Sequence, residues 1–199
     1  MQRELLKLVQ RLLRGELRKF KRRRTGGLAR IAIVVGLALA VFGIDYLLRE
    51  PELPAPRPGT DLVCSVREIA DGDTVTLSCP GGRLRVRVWG IDAPESGQQP
   101  WGDRSRDHLR QLLQPASELQ VQIVDTDRYG RSVARLFSGQ RDIGLAMVEA
   151  GQAIVYERYN DSPGYRTVQA AAREAGRGVW SEPGDQQDPA AWRRVNNPR

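Results

Sequence analysis

Five residues in the middle of the chain are of the types that handle phosphate esters. Asp73 leaves the tight-turn pair Asp71-Gly72, and Asp92 ends a strand-like segment. Both are placed to supply hard oxygen ligands to a divalent cation, and carboxylates with a backbone carbonyl suit calcium, which takes several oxygens at flexible geometry. Glu95 lies three residues beyond Asp92, with Pro94 restraining the backbone between them. At that spacing it is placed to accept the proton of an attacking water. Arg87 and Arg131 are planar, permanently cationic and able to grip a phosphate through two donors each. Such groups stabilise charge that grows on phosphoryl oxygens in a five-coordinate transition state. Taken one at a time, each residue also has a plain reading. Asp71-Gly72 is a hairpin turn, Arg87 one rung of a solvated strand face with Arg83 and Arg85, and Asp127-Arg128-Tyr129-Gly130-Arg131 an ordinary turn.

Other chemistries are excluded by composition. The single histidine, His108, removes multi-histidine metal sites and lies in a charged helical stretch that reads as surface. All three lysines fall within the first 21 residues, so the rest of the chain has no Schiff-base lysine and no lysine for a Walker-type phosphate loop.

The elements that must position these residues are legible from periodicity. Residues 62–69 and 73–79 flank Asp71-Gly72 as a hairpin, whose turn uses the tolerance of Gly and Asp for positive φ. Residues 83–91 alternate Leu84, Val86 and Val88 against Arg83, Arg85 and Arg87, the pattern of a half-buried strand. A helix is predicted near 102–114, a strand through Leu119, Val121 and Ile123, another near 131–138, and helices near 142–150 and 163–175. The order is α+β, compatible with a small barrel and packed helices. Trp89, Trp101 and Trp180 read as core or rim packing. A two-residue turn at 71–72 sets Cys64 opposite Cys79, so the pair is a disulfide candidate in an oxidising compartment. That register makes them a hydrogen-bonded pair; two separate buried thiols are the alternative.

Three motifs, taken together, resemble the staphylococcal nuclease (thermonuclease) family: Asp71-Gly72-Asp73-Thr74-Val75, the run Arg87 to Glu95 (Arg-Val-Trp-Gly-Ile-Asp-Ala-Pro-Glu), and Asp127-Arg128-Tyr129-Gly130-Arg131. Ile143-Gly144, Met147-Val148, Gly151-Gln152-Ala153 and Gly178-Val179-Trp180 continue the pattern, so the match runs in order through residues 62–182. The resemblance implies a five-stranded OB-type β-barrel with about three packed helices. It implies an enzyme, a calcium-dependent phosphodiesterase that cleaves the 5′ P–O bond of DNA and RNA and leaves 3′-phosphate ends. Asp73, Asp92 and the carbonyl of Ala93 correspond to the calcium ligands, Glu95 to the proposed general base, and Arg87 and Arg131 to the phosphate-binding arginines. Arg128, Tyr129 and Tyr159 fall where the family seats the nucleotide, and Asp71 and Asp127 near the metal or the second arginine. Two departures bear on substrate preference: Glu157 stands in place of a pocket tyrosine, and the loop between Glu95 and Gly102 is shorter. The stretch Pro189 to Arg194 resembles a tail of exported relatives, with Trp192 expected to pack back on the domain. A non-catalytic nucleic-acid or protein-binding module tethered to the membrane is the alternative, and the intact core set argues against it.

The net charge of +7 belongs to one end of the chain. Residues 1–30 hold 11 Lys/Arg against 2 Asp/Glu, whereas residues 61–199 hold 18 Arg against 19 Asp/Glu. Residues 1–27 carry Leu6, Val9, Leu13, Leu17 and Phe20 at helical spacing among basic residues, the character of a basic amphipathic helix on an anionic membrane surface. No charge occurs from Ile31 to Ile44. Extended to 28–48, the segment reads as a single transmembrane helix, with a cleaved signal peptide as its rival. The excess of positive charge before it places the N-terminus in the cytoplasm and the following domain outside the bacterial cytoplasmic membrane. Residues 49–60, rich in proline, form a semi-rigid linker. The nuclease-like domain then occupies 61–182, and 183–199 is a polar tail. DNA, RNA and the membrane are the expected partners; no feature points to an obligate protein partner.

Overall fold

The computed structural model describes residues 35–36, 51–114 and 116–196. The expected amphipathic helix lies outside these residues, as does the expected transmembrane segment apart from Val35 and Gly36. Among the described residues no helix is long and apolar enough to cross a membrane. Residues 51–199 form a compact unit of their own.

From residue 51 on, the described residues form eight strands and four α-helices in chain order: β1 (Asp61–Ile69), β2 (Thr74–Cys79), β3 (Gly82–Val88), β4 (Ile91–Asp92), α1 (Trp101–Leu113), β5 (Leu119–Thr126), β6 (Ser132–Ser138), β7 (Arg141–Asp142), α2 (Ile143–Glu149), β8 (Ile154–Val155), α3 (Pro163–Glu174) and α4 (Pro189–Asn196). The main sheet runs β3-β2-β1-β5-β6, and a parallel pairing of β3 with β6 closes it into a five-stranded OB-type barrel. Four α-helices among the described residues accompany it, in keeping with the about three expected. The alternation along β3 holds: Leu84, Val86 and Val88 are buried inside. They join Val75, Leu77, Leu119, Val121, Ile123 and Leu136 in the barrel core, which Leu109 and Leu113 of α1 and Ile143 and Met147 of α2 complete. Burying each such side chain contributes about 1.5–3 kcal/mol, and this apolar interior is what holds the polar cluster on β2 and β3 in place. His108 is half-buried rather than surface.

The strand expected over 83–91 is two strands. It ends at Val88, turns through Trp89-Gly90, and resumes as β4, which pairs with β8 instead of the barrel (Ile91 with Val155, Asp92 with Ile154). Gly90 takes φ +76°, which most side chains avoid, and its carbonyl accepts from the Tyr156 amide at 2.9 Å and from Asn160 Nδ2 at 3.2 Å. The turn thus swings Asp92 out of the barrel wall and beside the β8 segment.

The β1–β2 hairpin is longer than a two-residue turn. Ile69 faces Val75 and Glu68 faces Thr76, and an irregularity between Val66 and Glu68 shifts the register by one, so that Ser65 faces Ser78. Gly72 is not in the left-handed region; a Cβ there would lie 2.8 Å from the Ala93 Cβ and closer still to the Ser105 side chain. It is required by close packing of the turn on the β4 exit and α1, and not by positive φ. The register shift also bears on the cysteines. Cys64 and Cys79 form a disulfide with Cα atoms 4.4 Å apart, the spacing of a non-hydrogen-bonded pair instead of the wider one expected. The bridge encloses 15 residues of sequence separation and ties the ends of the hairpin that carries Asp73. Replacing both cysteines by alanine is expected to lower stability by about 3 kcal/mol. Urea unfolding with and without reductant checks this: reductant should destabilise the parent chain and leave the double variant unchanged.

Residues 51–60 are not a free spacer. The Leu53 amide donates to the Arg83 carbonyl at 2.7 Å and the Arg83 amide to the Pro51 carbonyl at 2.8 Å, while the Gly59 amide donates to the Ile123 carbonyl at 2.8 Å. The segment is pinned to the barrel at both ends, since the non-proline residues Leu53 and Gly59 keep amides to donate and Pro51 keeps a carbonyl that accepts.

Candidate active site

The site is assembled around Arg87, on the outer face of β3. Its Nη1 donates to Asp73 Oδ1 at 3.0 Å and its Nη2 to Asp92 Oδ1 at 2.9 Å. One guanidinium therefore bridges a carboxylate at the start of β2 and another at the end of β4. Both carboxylates are buried, Asp92 completely. Asp73 has every oxygen engaged: Oδ1 also accepts from Thr74 Oγ1 at 3.0 Å, and Oδ2 from the Ala93 amide at 3.1 Å. Asp71 Oδ1 accepts from the Asp73 amide at 2.9 Å, so the turn is an Asx turn that aims the Asp73 side chain. Burial pushes the Asp73 carboxyl up to about 6, with the Arg87 guanidinium opposing that rise. For Arg87, burial alone would lower the value, but Asp73 and Asp92 outweigh it and the net direction is upward. Arg87 is permanently charged, and the ionised carboxylates are held against a desolvation cost.

Arg131 joins from the other side of the barrel seam. Its Nε donates to Asp127 Oδ2 at 2.7 Å and its Nη1 to Thr74 Oγ1 at 3.2 Å. The parallel β3–β6 pairing sets Arg87 opposite Val133, which brings the Arg131 turn alongside β3. Thr74 is thereby a relay between Arg131 and Asp73, a role that no spacing in the sequence signals. Glu95 is half-buried on the loop after β4, and its amide donates to Gln98 Oε1 at 2.8 Å.

The expected aromatic residues sit at the rim. Tyr129 and Tyr159 are exposed. The Arg128 and Arg131 guanidinium carbons lie 4.9 and 5.6 Å from the Tyr129 ring centre, and Arg128 Nη2 donates to the Tyr129 hydroxyl at 2.8 Å. Arg128 therefore belongs to the outer edge of the site, stacked on Tyr129. Glu157 is exposed and does not take over an aromatic position. Its neighbour Tyr156 does: the ring centre lies 5.9 Å from the Arg87 guanidinium carbon and 5.1 Å from the Tyr159 ring, edge to face. Sequence reasoning passed over Tyr156. The density of tyrosines at 156, 159 and 165 was the available signal, but only the β4–β8 pairing shows which of them faces Arg87.

The donor set fits a hard divalent cation in part. Among the described residues there is no group of three or more His, Cys, Asp or Glu that could hold a metal ion. Asp73 and Asp92 supply two carboxylates close enough to share one guanidinium, and Ala93 follows directly with its carbonyl. A cation held there would need its remaining ligands from water, a donor set that suits calcium or magnesium better than zinc.

Arg193 was not anticipated. It comes from α4, near the C-terminus, where Nη1 and Nη2 donate to Asp92 Oδ1 and Oδ2 at 3.1 and 2.7 Å, and Nη1 also donates to Glu95 Oε1 at 2.6 Å. A contact across about a hundred residues has no local signature.

An OB-type barrel carrying buried carboxylates bridged by arginine at the β2, β3 and β4 ends defines the class, and the comparisons agree with it. Residues 85–182 match the family described as staphylococcal nuclease homologue. An uncharacterized endonuclease of Haemophilus influenzae is 34% identical over 132 residues, covering 66% of this chain and 72% of its own length. An uncharacterized endonuclease of Escherichia coli O157:H7 is 34% identical over 134 residues, 67% of this chain and 86% of its own. A micrococcal nuclease of Shigella flexneri is 37% identical over 143 residues, 66% and 80% respectively. The chain belongs to the staphylococcal nuclease family.

Proposed function

We propose that the chain is a calcium-dependent nuclease that hydrolyses phosphodiester bonds of DNA and RNA. We further propose that its N-terminal segment anchors it in the bacterial cytoplasmic membrane, with the nuclease domain on the outer side. The observation that carries the catalytic reading is the Arg87 bridge between Asp73 and Asp92, because it gathers three residues from three elements into one charged cluster beside Glu95. In this reading Asp73, Asp92 and the Ala93 carbonyl hold calcium. A bound dication polarises a phosphoryl oxygen and neutralises negative charge. Glu95 orients the attacking water and takes its proton. Arg87 and Arg131 offer paired donors to the non-bridging oxygens as charge grows there. Tyr129, Tyr156, Tyr159 and Arg128 offer faces and a cation at the rim on which a nucleotide stacks.

The test is incubation of the full-length chain with single-stranded DNA and with RNA in calcium, in magnesium and in chelator. Cleavage in calcium that chelator abolishes is expected; cleavage that survives chelation would remove the metal from the reading. Binding without cleavage by a folded chain would move the weight to a non-catalytic module. Within the same reading, Tyr156→Ala is expected to weaken single-stranded DNA binding by about 1–3 kcal/mol and to leave kcat nearly unchanged. Fluorescence anisotropy with a labelled oligonucleotide checks it.

The membrane proposal rests on the basic residues 1–30 and the uncharged run Ile31 to Ile44; the Cys64–Cys79 disulfide suits an oxidising compartment outside the cytoplasm. Protease added to intact spheroplasts is expected to digest the nuclease domain. A domain protected until lysis would overturn the orientation.

A further inference from the structure

The C-terminal helix α4 reaches the centre of the site, although its residues lie outside the matched region 85–182. It is seated by specific contacts. Gln98 Nε2 donates to the Asp185 carbonyl at 2.9 Å, and Asp188 Oδ1 accepts from the Ala191 amide at 2.8 Å in the first turn of the helix. The Trp192 ring packs closely against the loop after Glu95: a Cβ on Gly97 would come 2.8 Å from Trp192 Cη2. That loop is the one expected to be short, and Trp192 covers it. The next residue, Arg193, then places both terminal nitrogens on Asp92 and one on Glu95.

We propose that Arg193 is a built-in stand-in for the divalent cation, so that α4 and metal occupy the site as alternatives. Three considerations carry this. Arg193 donates to both oxygens of Asp92, consuming the acceptor directions that a metal ligand must present. It also holds Glu95 Oε1, the atom that would receive a proton from water. Finally, Asp73, Asp92 and Glu95 with Arg87 alone carry two net negative charges, which either a dication or a cationic side chain relieves. Adding both places like charges on the same buried carboxylate. Arg193 is the replaceable partner of the two arginines on Asp92. Its side chain is 31% exposed against 16% for Arg87, and it arrives on a terminal helix instead of a barrel strand. With α4 docked the net charge of the cluster falls from two negative to one, and Glu95 is tied. Calcium arriving with substrate displaces Arg193, releases Glu95 and frees α4 from the loop.

The inference rests on the calcium reading above, and the experiment separates the two. Calcium is titrated calorimetrically into the full-length chain in detergent, into Arg193→Ala, and into Trp192→Ala, which keeps the guanidinium but removes its anchor. In parallel, trypsin cleavage after Arg193 and Arg194 is followed by mass spectrometry with and without calcium. Arg193→Ala is expected to bind calcium at least about tenfold more tightly than the parent, Trp192→Ala to shift in the same direction, and calcium to speed tryptic release of the parent's last residues. Equal or weaker calcium binding by a folded Arg193→Ala variant overturns the proposal and leaves the calcium reading standing, as does protection of the tail by calcium. No calcium binding by any of the three chains removes both.

Discussion

Arg87→Ala is expected to abolish cleavage and to destabilise the fold at the same time. The guanidinium is the shared partner of two buried carboxylates, at 3.0 Å from Asp73 and 2.9 Å from Asp92. Removing it leaves charge buried without compensation, a loss of about 3–5 kcal/mol in comparable situations. In the proposed mechanism catalysis also loses a donor to the phosphoryl oxygens, a drop of about 10²–10³ in rate or more. Arg87→Lys separates the two effects. An ammonium keeps the charge but cannot span both carboxylates with a rigid fork, so stability should recover in part while the rate stays low. Urea unfolding and single-turnover cleavage, run on the same preparations, read both. A variant that unfolds like the parent would mean that the carboxylates find another cation, and Arg193 is the one in contact.

The second large effect is expected at Glu95, and it is of the opposite kind. Glu95→Gln should lower the rate by about 10²–10⁴, the range for loss of a positioned general base, with the unfolding midpoint almost unmoved. The side chain is 31% exposed and its ion pair with Arg193 is equally exposed, so little stability depends on it. The amide is close in shape to the carboxylate but cannot take a proton from water. Retention of most of the parent rate would remove Glu95 from proton transfer and leave it an anchor for α4. The contrast between the two substitutions is physically instructive: Arg87 is bound into the fold by what it neutralises, while Glu95 is held by the loop backbone and Gln98.

Which parts of this were legible beforehand follows from what is local. The alternation of Leu84, Val86 and Val88 with the arginines of β3 names the outward face on which Arg87 stands, because side chains alternate across a strand. The turn at Asp71 to Asp73 and the run from Asp92 to Glu95 are short motifs whose chemistry is carried by residue type. The family resemblance rests on these, and the closed five-stranded barrel agrees with the OB-type fold that it implies. The basic N-terminal arm and the near-neutral remainder are properties of composition alone.

Tertiary structure decided everything that depends on register and long-range approach. The turn between Ile69 and Val75 is one residue longer than expected and an irregularity in β1 restores the register, so Cys64 still meets Cys79, at the close spacing of a non-hydrogen-bonded pair. The turn at Trp89-Gly90 broke one expected strand into two and carried Asp92 to β8, where Tyr156 instead of Glu157 faces Arg87. Thr74 became a relay to Arg131 only because β3 and β6 close the barrel side by side. Arg193 is the clearest case. The stretch Pro189 to Arg194 points to a tail that packs back through Trp192, but nothing local marks Arg193 as the residue that reaches the site; its meaning comes from α4 folding back over the Glu95 loop to meet Asp92. Sequence periodicity reports which face of an element is buried; it carries no information about which distant charge will be brought to that face.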